Sequence, residues 1–149
     1  MTEQQIIEAF PRWAMQKPNV TGIFLVGSYA RGDASPESDV DLVILTSRPD
    51  AFLSNTSWVG NFGSPSSVVT EDWGKVQSIR VHYVDGPEVE YGITTSDWAT
   101  HPIPQSTQNV LADGMKLLFD RTGELEKAID KIPNKKIHDI CLARARIMI

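Results

Sequence analysis

The sequence predicts an α/β (α+β) domain, a mixed β-sheet flanked by helices. Three observations carry that prediction. Apolar runs such as Ile23-Phe24-Leu25-Val26 and Leu42-Val43-Ile44-Leu45 are strand-sized and nearly uninterrupted, as in strands buried on both faces. Segments with apolar residues at helical spacing are interspersed with them. The chain has 149 residues, enough for one domain around one core and too few for two ordinary ones.

The elements follow in order. Ile6, Ile7, Phe10, Trp13 and Ala14 recur at helical spacing, and Thr2 with Gln5 forms a capping-box pattern ahead of them. Pro11 is expected to kink or split this helix, and Pro18-Asn19 to end its segment. Residues 20–26 and 40–45 read as strands. Residues 54–67, rich in Ser, Asn and Gly, read as a loop or lid. Residues 76–84 and 88–94 read as a hairpin around Asp85-Gly86-Pro87, with Val76, Ser78, Arg80 and His82 on one face of its first strand. A short helix over 105–111, ended by Asp113-Gly114, precedes a fifth strand over 115–119. A helix over 124–131, ended by Pro133, precedes a helical tail over 135–149 with Ile137, Ile140, Cys141, Ala145 and Met148 as its stripe.

Composition narrows the function classes. Hydrophobic residues make up 41% and charged residues 22%, which excludes disorder or a fibrous repeat across the whole chain. Lys plus Arg number 14 against 19 Asp plus Glu, a net charge of −5, so a general nucleic-acid coat, which needs a cationic face, is disfavoured. The single cysteine, Cys141, allows no internal disulfide and no Cys-rich zinc site, and is read as inert. The start carries no cationic leader, and no apolar run approaches the roughly 20 residues of a membrane span. A cytoplasmic protein is the expectation.

One stretch carries chemistry: Gly27-Ser28-Tyr29-Ala30-Arg31-Gly32-Asp33-Ala34-Ser35-Pro36-Glu37-Ser38-Asp39-Val40-Asp41-Leu42. A buried strand ends in glycine, where the chain can turn sharply and a ligand approach the backbone. If Tyr29-Ala30-Arg31 opens a helical turn, its free N–H groups suit a phosphate. Strand alternation points Asp39 and Asp41 the same way, and two adjacent carboxylates are stable together chiefly when a cation neutralises them. A phosphate loop beside an Asp-x-Asp pair is equipment for transfer at phosphorus. A third acid is expected on a neighbouring strand. Glu88 and Glu90 are the candidates, and Glu90, embedded between Val89 and Tyr91, is favoured as metal ligand, general base or both.

Gly27-Ser28 followed by Asp39-Val40-Asp41 resembles the signature of the DNA polymerase beta-like nucleotidyltransferase superfamily. The fuller Gly-Ser-x-Ala-Arg-Gly…Ser-Asp-x-Asp-Leu pattern is similar to its small bacterial members: aminoglycoside and lincosamide nucleotidyltransferases, and minimal nucleotidyltransferases paired with toxins. The resemblance is strongest over 20–45. It implies a nucleotidyltransferase domain over 1–134, with 135–149 as its tail. It further implies two Mg²⁺ ions and transfer of a nucleoside monophosphate from an NTP, ATP being expected, with release of pyrophosphate. Carried over, Gly27 and Ser28 hold the triphosphate, Arg31 is a candidate phosphate contact, Asp39 and Asp41 hold the metals, and Glu90 matches the third acidic position. Glutamate stands there where many members have aspartate.

The larger drug-modifying members have a C-terminal helical domain that helps bind the acceptor, and little chain follows the core here. The expected acceptor is therefore a hydroxyl of a small molecule, or of a protein partner such as a toxin, with a homodimer as another way to complete the site. An antitoxin-type interaction protein and a nucleotide-binding module without turnover are the alternatives. Arg80 is read as a structural ion pair of Glu90, with nucleotide contact as its other role. His82, His101 and His138 receive none. Trp13 and Trp98 are assigned to the core, and Trp58 and Trp73 to packing, with an acceptor-pocket wall as the sharper reading.

Overall fold

The computed structural model describes residues 1–99 and 103–130 and the backbone of 137–139. Its centre is a seven-stranded mixed sheet in the order β3-β4-β5-β2-β1-β6-β7. The strands are β1 (Val20–Val26), β2 (Val40–Thr46), β3 (Pro65–Trp73), β4 (Val76–Tyr83), β5 (Glu88–Thr94), β6 (Met115–Asp120) and β7 (Ile137–Asp139). β2 lies parallel to β5 and antiparallel to β1; β3-β4-β5 is an antiparallel meander. The helices are α1 (Glu3–Ala14), α2 (Ser28–Arg31), α3 (Asp50–Leu53), α4 (Gln105–Asp113) and α5 (Glu124–Ile129), with 3₁₀ turns over Ser57–Phe62 and Ser96–Trp98.

The central strands β1 and β2 share one burial pattern, with only their second residues half-buried. In β2 that residue is Asp41. Alternation sends Leu42 and Ile44 to one face of the sheet with Tyr91 and Ile93, and Asp41 and Val43 to the other with Glu90 and Gly92. The Tyr91 face is filled by aromatic rings: Trp58 stacks on Trp13 with centroids 5.4 Å apart and meets Tyr91 edge-on at 4.9 Å. Trp58 also donates its indole N–H to the Phe52 carbonyl at 3.0 Å. Tyr91 and Tyr83 share a 2.8 Å hydroxyl contact, and the Tyr83 hydroxyl lies 2.8 Å from the Val59 carbonyl. This wall packs the sheet against α1 and leaves the Glu90 face for the site.

Several expectations are corrected. α1 runs through Pro11 without a break; the Pro11 ring is buried, and its carbonyl still accepts from the Met15 N–H at 2.9 Å. The 54–67 stretch is no lid: it forms the Ser57–Phe62 turn, whose Val59 and Phe62 are buried, and the start of β3. Trp73 is not packed but 60% exposed, at the end of an edge strand. At Ile137–Asp139, where the apolar stripe predicts helix, the backbone is a short strand pairing parallel with β6. The rest of 135–149, with Cys141, lies outside the described residues, as does His101.

Candidate active site

The site begins where β1 stops. Gly27 has φ +75° and ψ −156°, a conformation closed to ordinary L-residues. A Cβ there would sit 2.6 Å from Asp41 Oδ2, so the missing side chain is also what lets the Asp41 carboxylate lie against the turn. The N–H groups of Ala30 and Arg31 return to the Gly27 carbonyl at 3.1 and 3.0 Å and fold Ser28–Arg31 into one helical turn. Gly32, in the left-handed region, ends it. The Ser35 N–H donates to Ser38 Oγ at 2.9 Å and tightens the loop that delivers Asp39 to β2.

Strand register then assembles the acids. Asp41 on β2 lies opposite Glu90 on β5, and Glu90 opposite Arg80 on β4. Val26, next to Gly27, completes the row on the other side of Asp41. Asp39, just ahead of β2, reaches the same corner: its Oδ2 is 2.9 Å from Arg80 Nη1. Glu88 lies one step toward the hairpin turn, opposite His82, and pairs with His82 Nε2 at 2.9 Å and Arg80 Nη1 at 3.3 Å. The structure therefore brings Asp39, Asp41, Glu90 and Gly27-Ser28 to one end of the parallel β2–β5 pair and leaves Glu88 at the edge of the cluster.

Arg31 is held by two carboxylates. Its guanidinium pairs with Asp33 at 3.1 Å and with Asp113 at the end of α4, pinning α2 to α4 on the rim. These partners raise its already high pKa further, the Asp33 hydrogen bond most of all.

Arg80 is the residue that sequence reasoning underweighted. Beyond Glu90 at 3.3 Å, it meets Glu71 at 2.8 Å, Asp39 at 2.9 Å and Glu88 at 3.3 Å. The further signal is the acid at Glu71, which sits in an exposed stretch with no inward apolar pattern to mark it as strand. Among the described residues Asp41 makes no ion pair; its side chain shares a hydrogen bond with Glu90 instead. Burial above all, and then the charge of Glu90, push its carboxyl up to about 7; Asp39 adds to the rise and Arg80 opposes it.

A cavity of about 600 Å³ opens over this corner. Gly27, Asp41, Val43, Glu90 and Gly92 line it, together with Trp73, Trp98 and the end of α4. Among the described residues no three or more His, Cys, Asp or Glu side chains already converge on a metal position. The donor set nonetheless fits a hard divalent cation, because half-buried carboxylates that face one another, as Asp41 and Glu90 do across the β2–β5 register, are what such an ion neutralises.

The sequence matches the nucleotidyltransferase domain family over residues 6–147. The chain belongs to that family. Among solved structures, an aminoglycoside 6-adenyltransferase from Bacillus subtilis shares the fold, with a TM-score of 0.58, 15% identity and 81% of this chain covered. The polymerase core of TRAMP, an RNA surveillance complex, is a weaker match at TM-score 0.48 and 18% identity, covering 63% of this chain and 31% of that one. No curated protein matches the chain. The polymerase beta-like fold expected from the sequence is thus the fold observed. The nucleotidyltransferase domain spans 41% of the length of the adenyltransferase it resembles. Among the described residues, no helix is long and apolar enough to cross a membrane.

Proposed function

We propose that this nucleotidyltransferase domain transfers a nucleoside monophosphate, AMP from ATP being the expected donor, to a hydroxyl of an acceptor in the cytoplasm. The observation that carries the reading is the register that sets Asp41 opposite Glu90 beside Gly27, all three lining a cavity large enough for a nucleotide, with Asp39 just ahead of β2 reaching the same guanidinium as Glu90. Asp39 and Asp41, with Glu90, would hold Mg²⁺, which when bound stabilises negative charge on the transferring phosphoryl group and the leaving pyrophosphate.

The chain's own residues do the rest. The side-chain-free turn at Gly27 lets the triphosphate approach the backbone, and Ser28 offers its hydroxyl and N–H to the terminal phosphates. The acceptor hydroxyl gives its proton to a Glu90 carboxylate oxygen as its oxygen bonds to the α-phosphorus. The bond from the α-phosphorus to the bridging oxygen breaks, and pyrophosphate leaves. Asp41, half-buried against Gly27, keeps the turn and the acids in one frame.

The test is calorimetric titration of the four NTPs with and without Mg²⁺, on the wild-type chain and on Asp41→Asn. Mg²⁺-dependent binding of one NTP, abolished in the folded variant, is the expected result; no binding of any NTP, or equal binding by Asp41→Asn, would overturn the reading. An edge strand with Val68 40%, Val69 52% and Trp73 60% exposed favours a second reading, in which a protein docked on β3 presents the acceptor hydroxyl or the chain pairs with its own copy. Sedimentation of the purified chain separates a self-paired dimer from a monomer awaiting a foreign partner.

A further inference from the structure

The ion pairs at the site meet on one side chain. Arg80 is flanked by the carboxylates of Asp39, Glu71, Glu88 and Glu90, drawn from β3, β5 and the approach to β2. Their division over the guanidinium is uneven. Nε faces Glu71, at 2.8 Å the shortest of the contacts. Nη1 is shared between Asp39 at 2.9 Å and Glu88 at 3.3 Å, and Nη2 faces Glu90 at 3.3 Å. The guanidinium can thus release Asp39 and Glu90 and stay in place on Glu71 and Glu88. The planar fork of arginine allows this division, which the single ammonium of lysine does not. Arg80 is also fixed from below, since its neighbours Ile79 and Val81 are fully buried on the opposite face of β4.

We infer that Arg80 is a positioning residue, the built-in counter-cation that holds Asp39 and Glu90 until a divalent ion takes them over, while its Nε remains anchored on Glu71. The inference rests on the metal-dependent reading of the site given above. Its consequence is that metal binding to the free protein is a displacement, so the intact chain binds a lone divalent ion weakly. Removal of Arg80 leaves the same carboxylates without a competitor.

Mn²⁺ titrated without nucleotide, followed by calorimetry and by the Mn²⁺ electron paramagnetic resonance signal, tests this on four proteins. Arg80→Gln is expected to bind Mn²⁺ about tenfold tighter than wild type, the scale of releasing charge-assisted hydrogen bonds that the ion otherwise has to break. Arg80→Lys is expected to tighten by a smaller factor, and it carries the comparison if Arg80→Gln does not fold. Lys75→Gln, which removes an exposed charge at the β3–β4 turn, is expected to change affinity by less than about twofold because solvent screens it. Wild-type affinity in both Arg80 variants, or equal tightening in Lys75→Gln, would overturn the role of Arg80 and leave the metal site standing. Absence of Mn²⁺ binding in all four would overturn the metal-dependent reading itself, and this inference with it.

Discussion

Gly27 and Asp41 are best understood together, because each sets the conditions for the other. The backbone at Gly27 is in a conformation that costs about 1–3 kcal/mol for a residue with a side chain. A methyl group would also press on Asp41 Oδ2 from 2.6 Å. Gly27→Ala is therefore expected to lose about 2 kcal/mol or more in urea unfolding and to weaken nucleotide binding, since Asp41 must move. Asp41 makes a prediction of the opposite sense. In the unfolded chain its carboxyl ionises near the ordinary 3.8, in the folded chain at about 7. Between those values the folded state keeps a proton that the unfolded state has lost. The stabilisation it represents is present at low pH and is lost as pH rises toward and through 7. In chelator, urea stability should fall by about 2 kcal/mol between pH 5 and 8 once solvent screening is allowed for, and Asp41→Asn should flatten that dependence. A slope that survives the substitution would place the titration elsewhere.

At the scale of elements, β6 shows how a polar side chain fixes a junction. Asp120 is 1% exposed at the end of β6. One carboxylate oxygen accepts from the Gly123 N–H at 3.0 Å and the other from the Glu126 N–H at 3.0 Å, so this one residue holds the β6–α5 turn. Asp120→Ala should destabilise the chain by about 1–3 kcal/mol through orphaned N–H groups, with Asp120→Asn retaining part of the loss, as thermal melts would show. Elements whose signal is local were legible in the sequence: α1 from its stripe and Thr2–Gln5 box, β1 and β2 from continuous apolar runs, β4–β5 from the Asp85-Gly86-Pro87 turn. β3 was not. An edge strand with eight of its nine residues exposed carries no inward pattern, and its pairing with β4 makes it a strand. The acids of the site were legible because alternation alone aligns Asp39 with Asp41 and separates Glu90 from Tyr91. The ring of acids around Arg80 was not, since it depends on the register of strands distant in sequence and on β3, whose exposed residues carry no inward pattern.

The whole molecule divides its sheet between two tasks. One face packs Tyr91, Ile93, Leu42 and Ile44 beneath an aromatic layer; the other gathers Asp39, Glu71, Glu88 and Glu90 around one guanidinium, with Asp41 opposite Glu90. In a chain already at −5, that second face adds repulsion which the first must offset. A ligand that binds only the folded chain and neutralises this charge will raise its stability by mass action. Mg²⁺ with ATP should therefore raise the melting temperature above that in chelator, by several degrees once both are well above their dissociation constants; about 2.7 kcal/mol follows from a hundredfold excess. The variant sharpens the expectation. At pH 8, Asp41→Asn relieves burial of a charge and should melt above the wild type in chelator, yet it should show little further rise on adding Mg²⁺ and ATP. Stability gained and ligand response lost in a single substitution would mark Asp41 as a group kept for binding at the expense of the fold. If Asp41→Asn is less stable than the wild type in chelator, or responds to Mg²⁺ and ATP as strongly, the cost of this acidic corner is being met elsewhere on the sheet.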